Sequence, residues 1–329
     1  MKIATVGTGP IVEAFLSALD EIDGPMCVAM YSRKETTAKP LADQYNIPTI
    51  YTDFDHMLAD PNVEVVYVAS PNSLHYQHAL QALEHRKHVI CEKPFTSTAR
   101  ELEHLISVAR KNELMLFKAI TTIHLPNYQL IKENIHKLGS IKMIQCNYSQ
   151  YSSRYDRFLS GETPNVFNPA FSGGALMDIN VYNIHFVMNL FGPPEAAHYI
   201  ANQHANGIDT SGVLVLKYPH FISECVGCKD TQSMNFVLIQ GEKGYIHVEN
   251  GANGCRNVKI YLDDQTSELN AQTNDNLLYY ETRTFYEMYQ AKNFEKCYEL
   301  LTYSHSVMRV MEHARREAGI EFPADSRKR

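Results

Sequence analysis

The segment IATVGTGPIVEAF, residues 3–15, places an apolar strand directly before two glycines and an amphipathic helix. Gly7 and Gly9 permit a tight turn and the close approach of a pyrophosphate, to which the first turn of the helix offers backbone N–H groups. Val12 stands where the third glycine of this fingerprint usually lies. Because the segment opens a series of strand–helix units, it predicts a dinucleotide-binding loop made of Gly7, Thr8, Gly9, Pro10 and Ile11.

Short apolar runs alternate with helical patterns from the N-terminus to residue 120. Strands are predicted at 2–7, 26–32, 63–70, 87–93 and 114–120, and helices at 11–22, 74–86 and 98–112. Strand–helix units at this spacing form right-handed crossovers and a parallel sheet with helices on both faces. The predicted fold class is therefore α/β, beginning with a Rossmann parallel-sheet domain.

The pattern changes after a predicted helix at 126–138. Apolar runs at 140–152, 210–218, 221–228, 233–250 and 258–264 predict a large, open, mainly antiparallel sheet, with a hairpin turn at 241–244. A final helix is predicted at 297–319, ending at Gly319. The predicted domains are 1–121, which binds the dinucleotide, and 122–329, an α/β domain for substrate binding and oligomerisation. The final helix is able to pack back on the first domain.

The composition restricts the classes of partner. Of the 329 residues, 44% are hydrophobic and 20% charged, with a formal net charge of −7, which argues against nucleic-acid and anionic-membrane partners. No apolar run approaches the roughly 18 residues of a membrane span, and a strand follows Met1 too closely for a signal peptide. Seven scattered cysteines fit a reducing cytoplasm. Cys225 and Cys228 have a metal-like spacing, but two further ligands are not evident, so no metal is predicted.

The end of the second strand is where this class of fold places the residues that recognise the ribose of the dinucleotide. The sequence there is Tyr31-Ser32-Arg33-Lys34, with a hydroxyl and two cations but no carboxylate. This pattern favours NADP, whose 2′-phosphate needs a cation, and NAD remains the alternative. A solvated basic turn would explain the same residues.

The loop after the next predicted strand is a second candidate for cofactor binding. It contains Ser70, Pro71, Asn72 and His75 at the carboxyl end of a parallel strand, which is where ligands lie in this class of fold. Ser70 and Asn72 are equally suited to form a turn and a helix cap.

Glu92-Lys93-Pro94 ends the fourth predicted strand. Lys93 there would face the nicotinamide region, hydrogen-bond a substrate oxygen and oppose the negative charge that develops on it. Glu92 would contribute to the cofactor site and orient the lysine. A purely structural Glu92–Lys93 salt bridge is the alternative.

Three polar residues share one face of a predicted helix at 171–192. Asp178, Tyr182 and His185 stand at i, i+4 and i+7. A solvated face is one explanation, but two of the three side chains are aromatic and the set suits the binding of hydroxyls and the transfer of a proton. A nearby lysine cation would favour the phenolate of Tyr182.

These motifs, in this order, resemble the Gfo/Idh/MocA oxidoreductases over essentially the whole chain. The segment FNPAFSGGALMDINVY, residues 167–182, most resembles the branch that holds dimeric dihydrodiol dehydrogenase, NADP-dependent xylose dehydrogenase and glucose–fructose oxidoreductase. The resemblance implies that Lys93 is the catalytic lysine and that Tyr182 donates or accepts the proton. It also implies a homodimer formed through the C-terminal sheet.

The chain departs from the family pattern at three places. Asn180 replaces a usual glycine, His185 stands where many sugar dehydrogenases have aspartate, and TTIHLP at 121–126 lacks an arginine common in relatives. These departures concern the substrate more than the chemistry.

The expected function is hydride transfer between NADP(H) and a secondary alcohol or carbonyl of a sugar, polyol or cyclic diol. Lys93, Asp178 and Tyr182 are the catalytic candidates, His185 orients substrate hydroxyls, and Arg154 and Asn168 line the pocket unless they are ordinary loop residues. One alternative is a nucleotide-binding sensor without turnover. Sugar-phosphate chemistry is another, and it would need a cationic patch around Arg154 and Arg157.

Overall fold

A six-stranded parallel sheet forms the centre of the first unit of the computed structural model, which describes residues 1–326. This unit comprises Met1–Ile120 and Asn274–His305. Its strands are β1 (Lys2–Val6), β2 (Met26–Tyr31), β3 (Thr49–Tyr51), β4 (Val65–Val68), β5 (His88–Cys91) and β6 (Leu116–Lys118). The helices between them are α1 (Pro10–Asp20), α2 (Glu35–Gln44), α3 (Phe54–Ala59), α4 (Asn72–Glu84) and α5 (Ala99–Lys111).

The strand order is β3-β2-β1-β4-β5-β6, with every neighbour parallel. This is the doubly wound order, in which the connections reverse direction beside β1 and open a crevice at the carboxyl ends of the strands. β1 and β4 read as apolar runs because a parallel sheet is covered on both faces, and all four residues of β4 are buried. The predicted Rossmann fold is confirmed.

The second unit, which comprises Thr121–Thr273 and the chain from Ser306 onward, is built on an eight-stranded sheet. Its strands are β7 (Ile141–Ser149), β8 (Ala196–Gln203), β9 (Asp209–Lys217), β10 (Ile222–Cys228), β11 (Phe236–Gly241), β12 (Gly244–Glu249), β13 (Arg256–Leu262) and β14 (Gln265–Leu269). Its helices include α6 (Pro126–Asn134), α7 (Tyr155–Leu159), a π-helical turn (Leu176–Asn180), α8 (Val181–Phe191) and α9 (Gly251–Gly254). Short 3₁₀ turns cover Thr121–His124, Ile135–Leu138, Asn165–Phe167, Pro169–Phe171 and Pro323–Ser326.

The order of this sheet is β14-β13-β12-β11-β7-β10-β9-β8, and all neighbours are antiparallel except β7 and β10. One face is buried, and both the π-helical turn and α8 contact β10. The other face carries exposed apolar side chains, among them Ile200, Ile222 and Tyr245. The predicted open, mainly antiparallel sheet and its hairpin turn between β11 and β12 are confirmed.

The segment Asn274–His305 belongs to the first unit, whereas the sequence assigned all of 122–329 to the second domain. It contains α10 (Leu278–Gln290) and the start of α11 (Phe294–Glu317). Phe285 of α10 stacks on Phe117 of β6 at a centroid distance of 4.8 Å, and the Tyr298 hydroxyl donates to the Leu114 carbonyl at 3.3 Å. Aromatic packing therefore joins this late segment to the parallel sheet.

Candidate active site

The loop after β1 has the shape that the sequence predicts. Gly7 has a φ of +120°, and a Cβ at this position would lie 2.8 Å from the carbonyl oxygen of Ala69, so only glycine fits. Gly9 is the N-cap of α1, and a Cβ there would meet no atom within 4 Å. Val12 is fully buried and packs where the missing side chain of Gly7 leaves room. The loop therefore keeps the close packing that the third glycine usually provides.

The residues at the end of β2 form a polar turn at the same edge of the sheet. The Ser32 amide donates to the Tyr51 carbonyl at 3.1 Å, and its hydroxyl lies 2.6 Å from the Thr37 hydroxyl. Arg33 and Lys34 are exposed. This turn presents a hydroxyl and cations beside the β1 loop, since the Gly7 amide donates to the Tyr31 carbonyl at 3.2 Å.

The His75 ring lies between two of the predicted cofactor loops and contacts a backbone carbonyl of each. Its Nε2 lies 2.7 Å from the Ser70 carbonyl and its Nδ1 lies 2.8 Å from the Pro94 carbonyl. Burial lowers the pKa of His75, and the two carbonyls oppose that shift. The fully buried ring therefore joins the two loops, and its predicted contact with the cofactor stays a prediction.

The carboxylate of Glu92 holds the backbone at the end of β5. Its Oε1 accepts from the Tyr67 hydroxyl at 2.6 Å and its Oε2 accepts from the Lys93 amide at 3.2 Å. Burial raises the pKa of Glu92, while Tyr67 and the Lys93 charge oppose the shift. Lys93 is half-buried at the carboxyl end of β5, followed by a cis peptide bond to Pro94. Glu92 thus orients the lysine through its main chain.

Lys118 and Glu281 are also buried in this unit, and sequence reasoning missed both. Burial lowers the pKa of Lys118, at the end of β6, to about 7, and the charge of Lys93 acts in the same direction. Burial raises the pKa of Glu281 well above its usual value, and the charge of Glu92 raises it further. Their signal was a lone charged residue inside an apolar pattern, which only the tertiary fold identifies as buried.

In the second unit, Gly174 leaves room for the buried Asp209 carboxylate. This carboxylate binds the start of the π-helical turn that carries Asp178. Gly174 has a φ of +102°, and a Cβ there would lie 1.9 Å from Oδ1 of Asp209. Oδ2 of Asp209 accepts from the Leu176 amide and from the Tyr199 hydroxyl, each at 2.7 Å. The π-helical turn therefore begins on a fixed, fully buried acceptor.

The three residues predicted to share one helix face are separated by burial. Asp178 lies in the π-helical turn and Tyr182 in the first turn of α8, and both are half-buried. The Tyr182 ring packs edge-on against Tyr148 at 5.9 Å. The π-helical turn changes the spacing between Asp178 and Tyr182. His185, which lies one turn after Tyr182 in the regular helix α8, is fully buried. The predicted substrate contacts of Asp178, Tyr182 and His185 stay predictions.

Asp178 forms an ion pair with Lys229, a residue that the sequence did not single out. Lys229 follows the last residue of β10, far from Asp178 along the chain. No local pattern could reveal this pair, because it depends on the packing of the π-helical turn against β10.

Arg154 and Asn168 lie in the segment between β7 and the π-helical turn. Arg154 is exposed at the N-cap of α7, and Oδ1 of Asn168 accepts from the Ala170 amide at 2.9 Å, which caps a 3₁₀ turn. Arg157 forms a surface ion pair with Glu162. Pocket lining by Arg154 and Asn168 stays a prediction, with ordinary loop residues as the alternative.

The cysteines carry no metal-like arrangement. Cys225 and Cys228 lie in one strand at an odd spacing, so their side chains point to opposite faces of the sheet. Among residues 1–326, no three His, Cys, Asp or Glu side chains converge as a metal site requires. All seven cysteines are free thiols, and the cytoplasmic location inferred from them stays a prediction. Within the same described range, no helix has the length and apolar character to cross a bilayer.

Two family descriptions match this chain in sequence. The oxidoreductase family with an NAD-binding Rossmann fold matches residues 1–119, and the GFO/IDH/MocA C-terminal domain matches residues 128–247. The chain is 34% identical over 325 residues to the scyllo-inositol 2-dehydrogenase (NADP(+)) IolU of Bacillus subtilis (strain 168), with 99% of each chain covered. The protein therefore belongs to the Gfo/Idh/MocA family of NAD(P)-dependent oxidoreductases, as the sequence resemblance predicted.

Two further similarities support this assignment. The chain is 25% identical over 312 residues to the trans-1,2-dihydrobenzene-1,2-diol dehydrogenase of Sus scrofa, covering 91% of this chain and 90% of that protein. The structure of a levoglucosan dehydrogenase complex with NADH and levoglucosan superposes with a TM-score of 0.83 at 16% identity, covering 97% of both chains. The second similarity concerns the fold alone.

Proposed function

We propose that this protein transfers a hydride between NADP(H) and a ring hydroxyl or carbonyl of an uncharged cyclic polyol or sugar. The observation that carries the proposal is Lys93, fixed by Glu92 at the same sheet edge as the Gly7–Gly9 loop. The B. subtilis relative is by name an NADP(+)-dependent dehydrogenase of scyllo-inositol, and the S. scrofa relative one of a cyclic diol. A cyclic diol or polyol is therefore the first substrate class to test.

The loops of the first unit suit NADP. The backbone of Gly7 and Gly9 and the start of α1 would hold the pyrophosphate, because Gly7 permits the tight turn and Gly9 leaves open space at the N-terminus of α1. Ser32 and Arg33 would hold the 2′-phosphate, and Ser70, Pro71 and Asn72 would border the nicotinamide half. When bound, this cofactor accepts or returns the hydride.

Side chains of the protein transfer the proton and stabilise the charge that develops on the substrate oxygen. In the oxidative direction, Tyr182 takes the proton of the reacting hydroxyl, assisted by Lys93, whose ammonium opposes negative charge on the substrate oxygen. Asp178 accepts hydrogen bonds from neighbouring hydroxyls and fixes their orientation. In the reducing direction the same groups act in reverse order.

The decisive experiment measures NADP(H) absorbance in both directions with inositols, cyclic diols, aldoses and sugar acids. We expect turnover with at least one cyclic polyol or sugar. Lys93→Met should abolish turnover while NADPH binding, followed by fluorescence, stays within about twofold, because the lysine acts on the substrate oxygen. Lys39→Met, at an exposed lysine of the same unit, is the matched control and should keep full activity.

A nucleotide-binding sensor is the competing function. Its signature would be tight NADPH binding by the wild-type protein without turnover on any member of the panel. Equal loss of binding and turnover in Lys93→Met would instead show that Lys93 is structural.

We also propose that two copies associate through the open face of the eight-stranded sheet. Exposed apolar side chains lie on that face in three different strands. Such a concentration of apolar surface is typical of an interaction face.

A further inference from the structure

Lys229 is a buried ammonium group held at the end of β10. Its backbone amide donates to the Thr210 carbonyl at 2.8 Å, and its carbonyl accepts from the Ser152 amide at 2.9 Å. Only 8% of the side chain is exposed. The main chain at Lys229 is thus fixed from two sides, so the side chain emerges from a defined position.

The buried ammonium is neutralised by Asp178. Nζ of Lys229 pairs with Oδ2 of Asp178, and it also lies 5.9 Å from the centre of the Phe167 ring. A cation removed from water requires such a counter-charge. The Asp178 side chain is 26% exposed, so the pair has a buried cationic end and a more accessible carboxylate end.

The close approach of the two elements follows from two neighbouring asparagines. Nδ2 of Asn180 donates to the Cys225 carbonyl at 2.9 Å, and Nδ2 of Asn183 donates to the Val226 carbonyl at 2.8 Å. Gly227 makes the contact possible, because a Cβ there would lie 2.7 Å from the Cβ of Asn180. The π-helical turn therefore lies directly on β10, two residues before Lys229, and Asn180 helps to set the Asp178–Lys229 pair.

We infer that Lys229 is a positioning residue that fixes the Asp178 carboxylate for the hydroxyl groups of the substrate. The inference rests on the proposed function, in which Asp178 binds those hydroxyls. A carboxylate can accept about four hydrogen bonds, so an ion pair with Lys229 is compatible with a further hydrogen bond from a substrate hydroxyl. Because one lysine charge cancels one aspartate charge, the pair suits an uncharged polyol better than a sugar phosphate.

The test compares steady-state kinetics of the wild type, Lys229→Met, Lys229→Arg, Asp178→Asn and the Asp178→Asn/Lys229→Met double variant on the polyol turned over best. Lys229→Met should raise the KM for the polyol by about tenfold or more, with a smaller change in kcat and unchanged NADPH binding. Lys229→Arg should recover most of this loss. In the double variant, Lys229→Met should add little to the effect of Asp178→Asn, because the lysine acts through the aspartate.

Lys259→Met is the matched control, since Lys259 also forms ion pairs on the eight-stranded sheet, with Glu249 and Glu268. It should leave the KM for the polyol unchanged. If Lys229→Met does not fold, Lys229→Gln gives the same comparison with a polar side chain.

Two results would overturn the inference while the proposed function stands. In the first, the wild-type enzyme turns over a polyol, and the KM for this polyol in the folded Lys229 variant stays within about twofold of the wild-type value. The other is a double variant whose defect equals the product of the two single defects. Wild-type silence on the whole panel would overturn the proposed function and, with it, this inference.

Discussion

Glu281 is a buried carboxyl group whose ionisation the folded protein opposes. Within residues 1–326, Oε2 of Glu281 has no hydrogen-bond partner, and the charge of Glu92 opposes ionisation of the carboxyl group. In the unfolded chain, Glu281 loses its proton near pH 4.5. In the folded protein it keeps that proton to a higher pH. Because the native state binds more protons in that window, this group makes stability fall as the pH rises above about 4.5.

Glu281→Gln should remove this loss of folding stability above about pH 4.5. We expect the variant to be more stable than the wild type at pH 7, by about 1–3 kcal/mol, and equally stable near pH 4. Thermal unfolding from pH 4 to 8 measures the difference. Glu103→Gln, at an exposed position of α5, is the control and should follow the wild type. A wild type and a Glu281 variant that respond identically to pH would refute the reasoning.

Arg33 is the residue on which the cofactor preference is expected to depend. Arg33→Asp places a carboxylate where a 2′-phosphate would lie, so the preference for NADPH over NADH should fall by about tenfold or more. The ratio of kcat/KM for the two cofactors measures this. Arg86→Asp makes the same charge change at an exposed position before β5 and should leave the ratio unchanged. An unaltered ratio in Arg33→Asp would contradict our reading of the loop after β2.

At the scale of elements, the π-helical turn and α8 depend on the space at Gly174. Gly174→Ala should destabilise the protein by several kcal/mol and lower turnover, because it combines backbone strain with a clash against Asp209. Gly161→Ala is a matched control, since Gly161 also has a positive φ but its Cβ would meet no atom within 4 Å. It should cost only about 1 kcal/mol. Chemical denaturation gives both values, and equal costs would show that the Asp209 contact is unimportant.

The elements that sequence reasoning found are those with a strong apolar pattern. β1, β4, β5 and β6 are mostly buried runs, and α1 and α5 have clear apolar faces. The missed strands β3, β8 and β14 are short or lie at sheet edges, where exposure weakens the pattern. α2 was missed because it is polar and contains Pro40.

The candidate site was predictable only where function depends on a local motif. The β1 loop and Glu92-Lys93-Pro94 are contiguous in sequence, so their positions at strand ends followed from the pattern. The Asp178–Lys229 pair depends on a π-helical turn, and both this pair and the burial of His185 depend on long-range packing. Neither feature leaves a periodic signal.

At the scale of the whole molecule, the open face of the second sheet should decide the oligomeric state. Ile200→Glu combined with Ile222→Glu should produce monomers at concentrations at which the wild type sediments as a dimer, because both side chains are exposed on that face. Met234→Glu also replaces an exposed apolar residue, but outside the strands, and should sediment like the wild type. A monomeric wild type, or a double variant that still dimerises, would exclude this interface.

The return of residues 274–305 to the first unit has a consequence for biosynthesis. Phe285, the stacking partner of Phe117, is made about 170 residues after it. Asn276, which donates a hydrogen bond to the Ala14 carbonyl, is made about 260 residues after Ala14. A ribosome that has released the first 120 residues has therefore released all six strands of the parallel sheet, but not the helix that covers Phe117. The nucleotide-binding unit starts first during translation and is completed only when nearly the whole polypeptide has emerged.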